Sequence, residues 1–216
     1  KPIDNPFFDF AAVQAAQKLE LSNQQRNAVL AALNEGALVI TGGPGTGKTT
    51  IIRFITAIVE EMGLDVALTA PTGRAAKRMS DATGHDARTI HRLLEYVPGH
   101  GFLRNADDPL YNDMVIVDEM SMVDVSLMNA LLKAIPIGTR LILVGDADQL
   151  PSVGAGDVLR DIIRSETIRV VRLDEIFRQA QSSMIVTNAH RINDGAQPIL
   201  DLPESDFLFE DLASQD

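Results

Sequence analysis

The 216-residue sequence contains no cysteine, which excludes disulfide bonds and any metal site built on thiolates. It also lacks an apolar run near the roughly 18 residues that a membrane-spanning helix needs. The N-terminal residues KPIDNPFF contain no apolar stretch of the kind found in secretory signal peptides. We therefore expect a soluble globular protein of the cytoplasm, with no membrane partner.

Positive charge is scarce in the chain as a whole but concentrated in one segment. The formal net charge is −11, which argues against a nonspecific nucleic-acid binder. Residues 74–104 nevertheless contain six basic and only three acidic side chains. Such a segment is either a solvated helix face or a surface that contacts phosphates, and charge alone favours neither.

Short apolar runs alternate with helical patterns along the chain. Five runs predict buried strands, at residues 37–41, 65–70, 114–119, 140–146 and 168–173. An apolar stripe from Ile51 to Met62 predicts a helix that ends at Gly63. A second helix is predicted from about Val123 to Ala134, before Pro136. This alternation predicts an α/β fold of three layers, in which helices cover both faces of a parallel sheet.

Two segments interrupt the alternation. Residues 95–113 contain prolines, glycines and aromatic residues, and they predict a small hairpin inserted on a loop. Residues 194–216 are acidic and punctuated by proline, which predicts a linker into a further domain. Because the chain begins at Lys1 and ends in the polar run ASQD, we expect a piece of a longer protein.

The stretch TGGPGTGKTT contains the P-loop pattern Gly42-x-x-x-x-Gly47-Lys48-Thr49 directly after a predicted strand and at the start of a predicted helix. Its glycines let consecutive backbone N–H groups face the phosphates of a nucleotide. Lys48 is expected to contact the β and γ phosphates, and the Thr49 hydroxyl to ligate Mg²⁺. A glycine-rich turn without a ligand would leave this lysine and threonine unexplained. The predicted nucleotide-binding residues of the loop are Gly43, Pro44, Gly45, Thr46, Gly47, Lys48, Thr49 and Thr50.

Two acidic residues end the apolar run MVIVDE. Asp118 is predicted to hold Mg²⁺ with Thr49, and Glu119 to polarise the attacking water. Paired acids at a strand end are often only a solvated terminus. Their position after a P-loop and four apolar residues instead favours a Walker B pair, and ATP with Mg²⁺ as the ligands.

Further motifs occur in a fixed order around these two. They are LSNQQRNAVL (21–30), APTGRAAKRM (70–79), TIHRLL (89–94), VDEMSM (117–122), GDADQLPSVGAG (145–156) and LDEIFRQ (173–179). They resemble the Q motif and motifs Ia, Ib, II, III and IV of superfamily 1 helicases, in the RecD/TraA-like branch (superfamily 1B) that includes the exodeoxyribonuclease V α subunit. The resemblance implies a P-loop NTPase with a RecA-like domain. It also implies an ATP-dependent motor that moves 5′ to 3′ on single-stranded DNA in recombination and repair.

The resemblance also implies a division of the chain. Residues 1–20 would be an N-terminal linker or helix, and residues 21–193 a first RecA-like domain (1A) that carries 95–113 as a 1B-like hairpin. Residues 194–216 would lead into a second RecA-like domain, since motifs V and VI have no match before Asp216. We therefore expect this chain alone to bind nucleotide weakly and hydrolyse it slowly.

The resemblance assigns further residues to catalysis and to ATP. Gln25 matches the glutamine that reads the adenine edge, with Gln24 as the second choice. Gln149 would hydrogen-bond the γ-phosphate or its water. Arg178 would act as an arginine finger, unless it only forms a surface ion pair with Asp174 or Glu175.

For DNA, the resemblance turns the basic segment into a candidate phosphate track. The predicted DNA-binding residues are Pro71, Thr72, Gly73, Arg74, Lys77, Arg78, His91 and Arg92. His91 has the ordinary alternative of being merely packed or solvated. The hairpin resembles the short 1B element that splits strands in this family, with Tyr96, Phe102 or Tyr111 near its tip or base.

Two other functions remain open at this point. The chain could be a non-motor RecD-like subunit, whose ATP site regulates assembly with other recombination or repair subunits. It could also be a P-loop kinase or nucleotide switch that does not bind DNA. The kinase hypothesis leaves the motif GDADQL and the basic helix unexplained.

Overall fold

A six-stranded parallel sheet organises the chain in the computed structural model, which describes residues 10–176, 183–200 and 205–208. The strand order is β3-β2-β6-β7-β1-β8. The six strands are β1 (Ala37–Gly42), β2 (Val66–Ala70), β3 (Ala87–Thr89), β6 (Met114–Val117), β7 (Arg140–Gly145) and β8 (Arg169–Leu173). Two short strands, β4 (Tyr96–Val97) and β5 (Gly101–Phe102), form a separate antiparallel pair.

All five strands predicted from apolar runs are confirmed. Strands β6 and β7 are buried at every position, as expected for central parallel strands covered on both faces. The edge strand β3 was not predicted, because its three residues ART form no apolar run. Since every pair in the large sheet is parallel, the carboxyl ends of all six strands lie at one edge.

Helices cover both faces of the sheet. They are α1 (Phe10–Gln17), α2 (Asn23–Asn34), α3 (Lys48–Glu61), α4 (Gly73–Thr83), α5 (Ile90–Leu93), α6 (Val125–Ala134), α7 (Val158–Ser165) and α8 (Met184–Asn193), with a 3-10 helix at Met120–Met122. The predicted stop of α3 is confirmed, because Gly63 follows it with φ of +73°. Helix α6 begins two residues later than predicted, where the Asp124 side chain accepts a hydrogen bond from the Leu127 backbone N–H.

Two hydrophobic cores lie on opposite faces of the sheet. On one face, Leu38 and Ile40 of β1 pack with residues of α2 and α3, including Val29 and Phe54. On the other face, the intervening Val39 packs in the core that contains α6 and α7 residues. This alternation of β1 side chains between two cores is the three-layer arrangement that the sequence predicts, so the predicted fold class is confirmed.

The predicted hairpin is also present, between α5 and β6. Tyr96 pairs with Phe102 across β4 and β5. Arg104 fastens the base of the hairpin through ion pairs to Glu95 (2.9 Å) and Asp108 (3.0 Å). Within the described parts of the chain, no helix is both long and apolar enough to cross a membrane.

Candidate nucleotide site and nucleic-acid surface

The P-loop connects β1 to α3, and its glycines are required for two different reasons. Gly45 and Gly47 have φ of +76° and +81°, a region that other residues rarely adopt. Gly42 and Gly43 are instead crowded by neighbours. A Cβ at Gly42 would lie 2.7 Å from the Leu173 carbonyl oxygen, and one at Gly43 would lie 2.5 Å from the His190 ring. Only half of the glycines therefore serve the curl of the loop through their backbone conformation.

Lys48 begins α3 and turns back over the loop. Its Nζ donates hydrogen bonds to the carbonyl oxygens of Gly42 (2.5 Å) and Gly43 (2.9 Å). Burial lowers the pKa of Lys48, and the negative charges of Asp146, Asp118 and Glu119 oppose that shift. The ammonium group thus lies in a pocket of negative charge at the start of the helix, where phosphate groups bind in P-loop proteins.

Asp146 was missed in the sequence analysis, although a signal for it exists. It follows the apolar strand β7 as Asp118 follows β6, and it is only 4% exposed. Its carboxylate accepts a hydrogen bond from the Asp148 backbone N–H (3.0 Å). The parallel register of β6 and β7 brings both carboxylates to the same sheet edge.

The predicted acid pair lies at the end of β6. Asp118 is 5% exposed, and its Oδ1 accepts from the Glu119 backbone N–H (2.9 Å). Burial raises the pKa of Asp118 above its usual range. Glu119 has a left-handed backbone, with φ of +57°, and its carboxylate forms an ion pair with the Arg78 guanidinium. Such a backbone at a residue other than glycine is typical of functional sites.

The site's chemistry fits Mg²⁺. Thr49 offers a hydroxyl and Asp118 a carboxylate, the oxygen ligands that this hard cation prefers. In the described ranges, no cluster of three or more histidine, aspartate or glutamate residues could hold a metal ion. A magnesium ion here would accordingly need phosphate and water oxygens to complete its ligands.

A cavity of about 830 Å³ brings many of the predicted residues together. Its walls contain Pro44 to Thr50 of the loop, together with Arg78, Glu119 and Gln149. Gln25 also lines it, whereas Gln24 accepts hydrogen bonds from the Asp174 and Glu175 backbone N–H groups. Two residues without a sequence signal, Leu19 and Glu20, complete one wall.

Gln25 is 1% exposed, and the chain itself already uses its amide. The amide oxygen accepts from the Ser22 N–H (3.1 Å), which caps helix α2. The amide nitrogen donates to the Thr46 carbonyl oxygen (3.4 Å) in the P-loop. Gln25 therefore connects the start of α2 to the loop from within the cavity wall.

Gln149 lies in the loop after β7. Its side-chain oxygen accepts from the Ser121 hydroxyl (3.2 Å), next to the acid pair. Arg160 of α7 fastens this loop by donating to the carbonyl oxygens of Ala147 (2.6 Å) and Gln149 (3.1 Å). Arg178 lies outside the described residues.

The residues predicted to bind DNA lie at different sites in the structure. Thr72 caps α4 by accepting from the Ala75 N–H (3.2 Å), and Arg74 and Lys77 are exposed on that helix. Arg78, one position further, instead lines the nucleotide cavity and pairs with Glu119. The basic helix thus faces two sites.

His91 belongs to a cluster of rings at the hairpin. Its ring centre is 5.5 Å from that of Tyr96 and 5.6 Å from that of Phe102. Both Tyr96 and His91 are exposed, and Arg92 lies beside them on α5. The surface can therefore offer ring faces and a guanidinium to a flexible ligand.

A parallel sheet with this loop after β1 and this acid pair after β6 defines a P-loop NTPase domain with a RecA-like fold. Helix α4 and the loop after β7 contribute to the walls of its nucleotide cavity. A family model described as an AAA domain matches residues 20–207, and the chain belongs to that family.

Two curated relatives are each 41% identical to this chain. An ATP-dependent RecD2 DNA helicase of Deinococcus radiodurans aligns over 197 residues, which are 91% of this chain and 27% of the relative. A RecBCD enzyme subunit RecD of Mycobacterium tuberculosis aligns over 170 residues, which are 68% of this chain and 30% of the relative. The resemblance to RecD-like helicases read from the motifs is thereby confirmed, over less than a third of the relatives' length.

A solved structure is similar as well. The crystal structure of the Pif1 helicase from Candida albicans superposes with a TM-score of 0.59 and 27% identity, covering 86% of this chain and 50% of that one. The likeness extends the agreement from sequence motifs to the arrangement of strands and helices.

Proposed function

We propose that this chain binds Mg·ATP and is the first RecA-like domain of a 5′ to 3′ DNA helicase or translocase. The observation that carries the proposal is the cavity that joins Lys48, Glu119 and Gln149 to Arg78 of the basic helix α4. The kinase or switch hypothesis leaves the basic helix beside the cavity unexplained. The name of the D. radiodurans relative, an ATP-dependent DNA helicase, supports the same activity.

In the proposed reaction, Lys48 exchanges its hydrogen bonds to the Gly42 and Gly43 carbonyl groups for the β and γ phosphates. Residues Pro44 to Thr50 would surround the phosphates, and Gln25 would face the adenine end of the cavity.

Mg²⁺ held by Thr49 and Asp118 would neutralise phosphate charge. Glu119 would accept a hydrogen bond from the attacking water, and Gln149 would form a hydrogen bond with the γ-phosphate or its water. Arg178 would stabilise charge in the transition state.

Single-stranded DNA would contact the exposed part of the basic segment. Thr72 and Gly73 lie at the start of α4, and Arg74 and Lys77 on its exposed face, where they can bind phosphates without reading sequence. His91 and Arg92 would contact the strand near the hairpin, where rings can stack on bases. Pro71 would shape the path at the carboxyl end of β2. The proposed 5′ to 3′ polarity is the one that the resemblance to RecD-like helicases implies, and a cytoplasmic location is proposed with it.

The domain limits are part of the proposal. Residues 21–193 would form domain 1A, preceded by a linker or helix at 1–20, and 194–216 would lead to a second RecA-like domain. Such motors bind ATP between two domains, so this chain alone should turn it over slowly.

A second candidate is a non-motor subunit whose ATP site regulates assembly. The M. tuberculosis relative, named as a subunit of the RecBCD enzyme, favours this candidate. Its partners would be other recombination or repair subunits.

Directional unwinding distinguishes the two. The chain extended through a second RecA-like domain is mixed with ATP, Mg²⁺ and duplexes that carry a 5′ or a 3′ single-stranded tail. A motor of the proposed polarity separates only the 5′-tailed duplex, and Lys48→Ala abolishes this. ATP-dependent association with partner subunits, without unwinding of either duplex, would support the regulatory subunit.

A further inference from the structure

A second cavity, of about 500 Å³, adjoins the nucleotide cavity, and both have Pro44 and Gln149 in their walls. One wall is the beginning of the P-loop, from Thr41 to Pro44. The wall that faces it includes Ala189 and His190 of α8. None of the site residues predicted from the sequence lies on α8. The second cavity therefore places an unassigned helix against the phosphate-binding loop.

Gly43 occupies one of the variable positions of the pattern Gly42-x-x-x-x-Gly47. Its backbone lies outside the left-handed region, so its conformation does not demand glycine. A Cβ at this position would lie only 2.5 Å from Cε1 of His190 and 3.1 Å from its Nε2. The imidazole fills the space in which a side chain at position 43 would stand.

The same ring forms a hydrogen bond with the next residue of the loop. Nε2 of His190 lies 3.0 Å from the carbonyl oxygen of Pro44. Because a carbonyl oxygen can only accept, Nε2 carries the proton and donates it. A trans peptide points its C=O and the following N–H in opposite directions. A Pro44 carbonyl held toward α8 therefore directs the Gly45 N–H away from α8, and Gly45 lines the nucleotide cavity.

Side chains hold three consecutive carbonyl groups of the loop. Lys48 donates to Gly42 and Gly43, and the Thr46 hydroxyl also donates to Gly43 (2.8 Å). Both of these donors belong to the P-loop itself. The contact to Pro44 comes from 146 residues away in the chain.

Helix α8 is itself anchored at two points. At its start, the Asp206 carboxylate accepts from the Ser183 hydroxyl and from the Met184 N–H, each at 2.6 Å. Further along, the buried Asn188 exchanges two hydrogen bonds of 2.8 Å with the backbone of Ile199. His190 therefore extends from an anchored helix.

We propose that His190 is a positioning residue of the nucleotide site, which holds the Pro44–Gly45 peptide so that the Gly45 N–H is available to a nucleotide phosphate. Gly43 is its steric counterpart, because only a residue without Cβ lets the imidazole reach Pro44. The inference rests on the proposed binding of Mg·ATP by this chain. It assigns a role in ATP binding to the helix that follows the Arg178 segment.

The first test measures how tightly single variants bind an N-methylanthraniloyl derivative of ATP in the presence of Mg²⁺. The fluorescence of the nucleotide reports binding. His190→Ala is expected to weaken binding about 3- to 10-fold, the range that one hydrogen bond controls. His190→Gln should recover part of that loss, because its amide can donate to the same carbonyl. His85→Ala is the matched control, since its partly exposed ring pairs with Glu60 (3.0 Å) outside both cavity walls. Circular dichroism verifies that each variant is folded.

The second test combines the two counterparts. Gly43→Ala alone should weaken binding, because its Cβ displaces the imidazole. In the His190→Ala background the same change should add little, since the ring is gone. Wild-type affinity in His190→Ala, or losses that multiply in the double variant, would overturn the proposal. Failure of the wild-type chain to bind Mg·ATP would instead count against the proposed function itself.

Discussion

The nucleotide cavity and the basic segment 74–104 differ in how their residues are brought together. The cavity collects side chains from the α1–α2 connection, the P-loop, α4, β6 and the loop after β7. The basic segment is continuous in sequence, yet its side chains face different places. Arg78 pairs with Glu119 in the cavity, Arg74 and Lys77 are exposed, and His91 packs against the hairpin. Sequence proximity is thus a poor guide to which long side chains share a site.

The two regions also differ in burial. Lys48 lies among three carboxylates, and its burial lowers its pKa. Arg74 and Lys77 of the basic segment are instead exposed on α4. Electrostatic interactions are stronger in a site shielded from water than in water itself. We therefore expect substitutions in the cavity to have larger effects than those on the basic segment.

The largest effect is expected from Lys48→Ala. The change removes the ammonium group that holds the loop carbonyls and would contact the phosphates, so ATP hydrolysis should fall by about 100-fold or more. Steady-state hydrolysis measures this, with the exposed Lys133→Ala in α6 as the control. If Lys48→Ala still hydrolyses ATP at a rate within a few-fold of wild type, the role given to Lys48 is wrong.

Glu119→Gln should slow hydrolysis by a similar factor but leave ATP bound. The amide keeps the shape of the side chain and loses the charge that polarises water. Rapid filtration with radiolabelled ATP measures the bound nucleotide. Unchanged turnover would contradict the role given to Glu119.

An intermediate effect is expected from Arg78→Ala, which tests the boundary between the two regions. Loss of the guanidinium removes a cation from the cavity and the partner that positions Glu119, so hydrolysis without DNA should fall about 3- to 10-fold. Arg78→Lys should recover only part of the activity, because an ammonium keeps the charge but not the planar donor geometry of a guanidinium. The readout is kcat and KM for ATP in the absence of DNA.

The matched control for Arg78 is Arg88→Ala. Arg88 is similarly exposed, at 58%, and pairs with Asp86 away from the cavity. If Arg78→Ala hydrolyses ATP like wild type and only loses DNA affinity, Arg78 belongs with the basic segment, and the comparison drawn above is wrong.

Smaller effects are expected from Arg74→Ala and Lys77→Ala. Each should weaken binding of single-stranded DNA a few-fold, and each should lower the slope of log affinity against log salt by roughly 0.7. Titration of a fluorescent oligonucleotide at several salt concentrations measures both. An unchanged salt slope would show that these side chains do not meet phosphates.

The smallest expected effect is on the stability of helix α8 and on how that stability depends on pH. The hydrogen bond from the Ser183 hydroxyl lowers the pKa of Asp206. A lowered native pKa means that the stabilisation is present above the unfolded value of about 3.9 and is lost as pH falls through the native value. Asp206→Asn should therefore increase amide hydrogen exchange in α8 at pH 7. Equal rates of amide hydrogen exchange in α8 of the wild type and of Asp206→Asn at pH 7 would contradict this prediction.

Backbone-determined features were predictable from the sequence. The five apolar strands, the α3 stop at Gly63 and the P-loop follow from periodicity and from motifs whose geometry is local. The three-residue β3 was missed because it depends on its neighbour β2 for pairing.

Features that depend on distant side chains were not predictable. The pairing of Arg78 with Glu119 spans 41 residues, and neither spacing nor charge pattern indicates it. The reason for glycine at position 43 is a histidine near the other end of the chain. Asp146 was predictable in principle, because it repeats the pattern of an acid after a buried strand.

The most direct measurement is steady-state ATP hydrolysis with and without single-stranded DNA, by the chain extended through a second RecA-like domain and by the 216-residue chain. We predict strong stimulation by DNA in the extended protein and slow turnover with little stimulation in this chain. Equal, DNA-independent turnover in both would contradict the proposal that this P-loop drives a DNA motor.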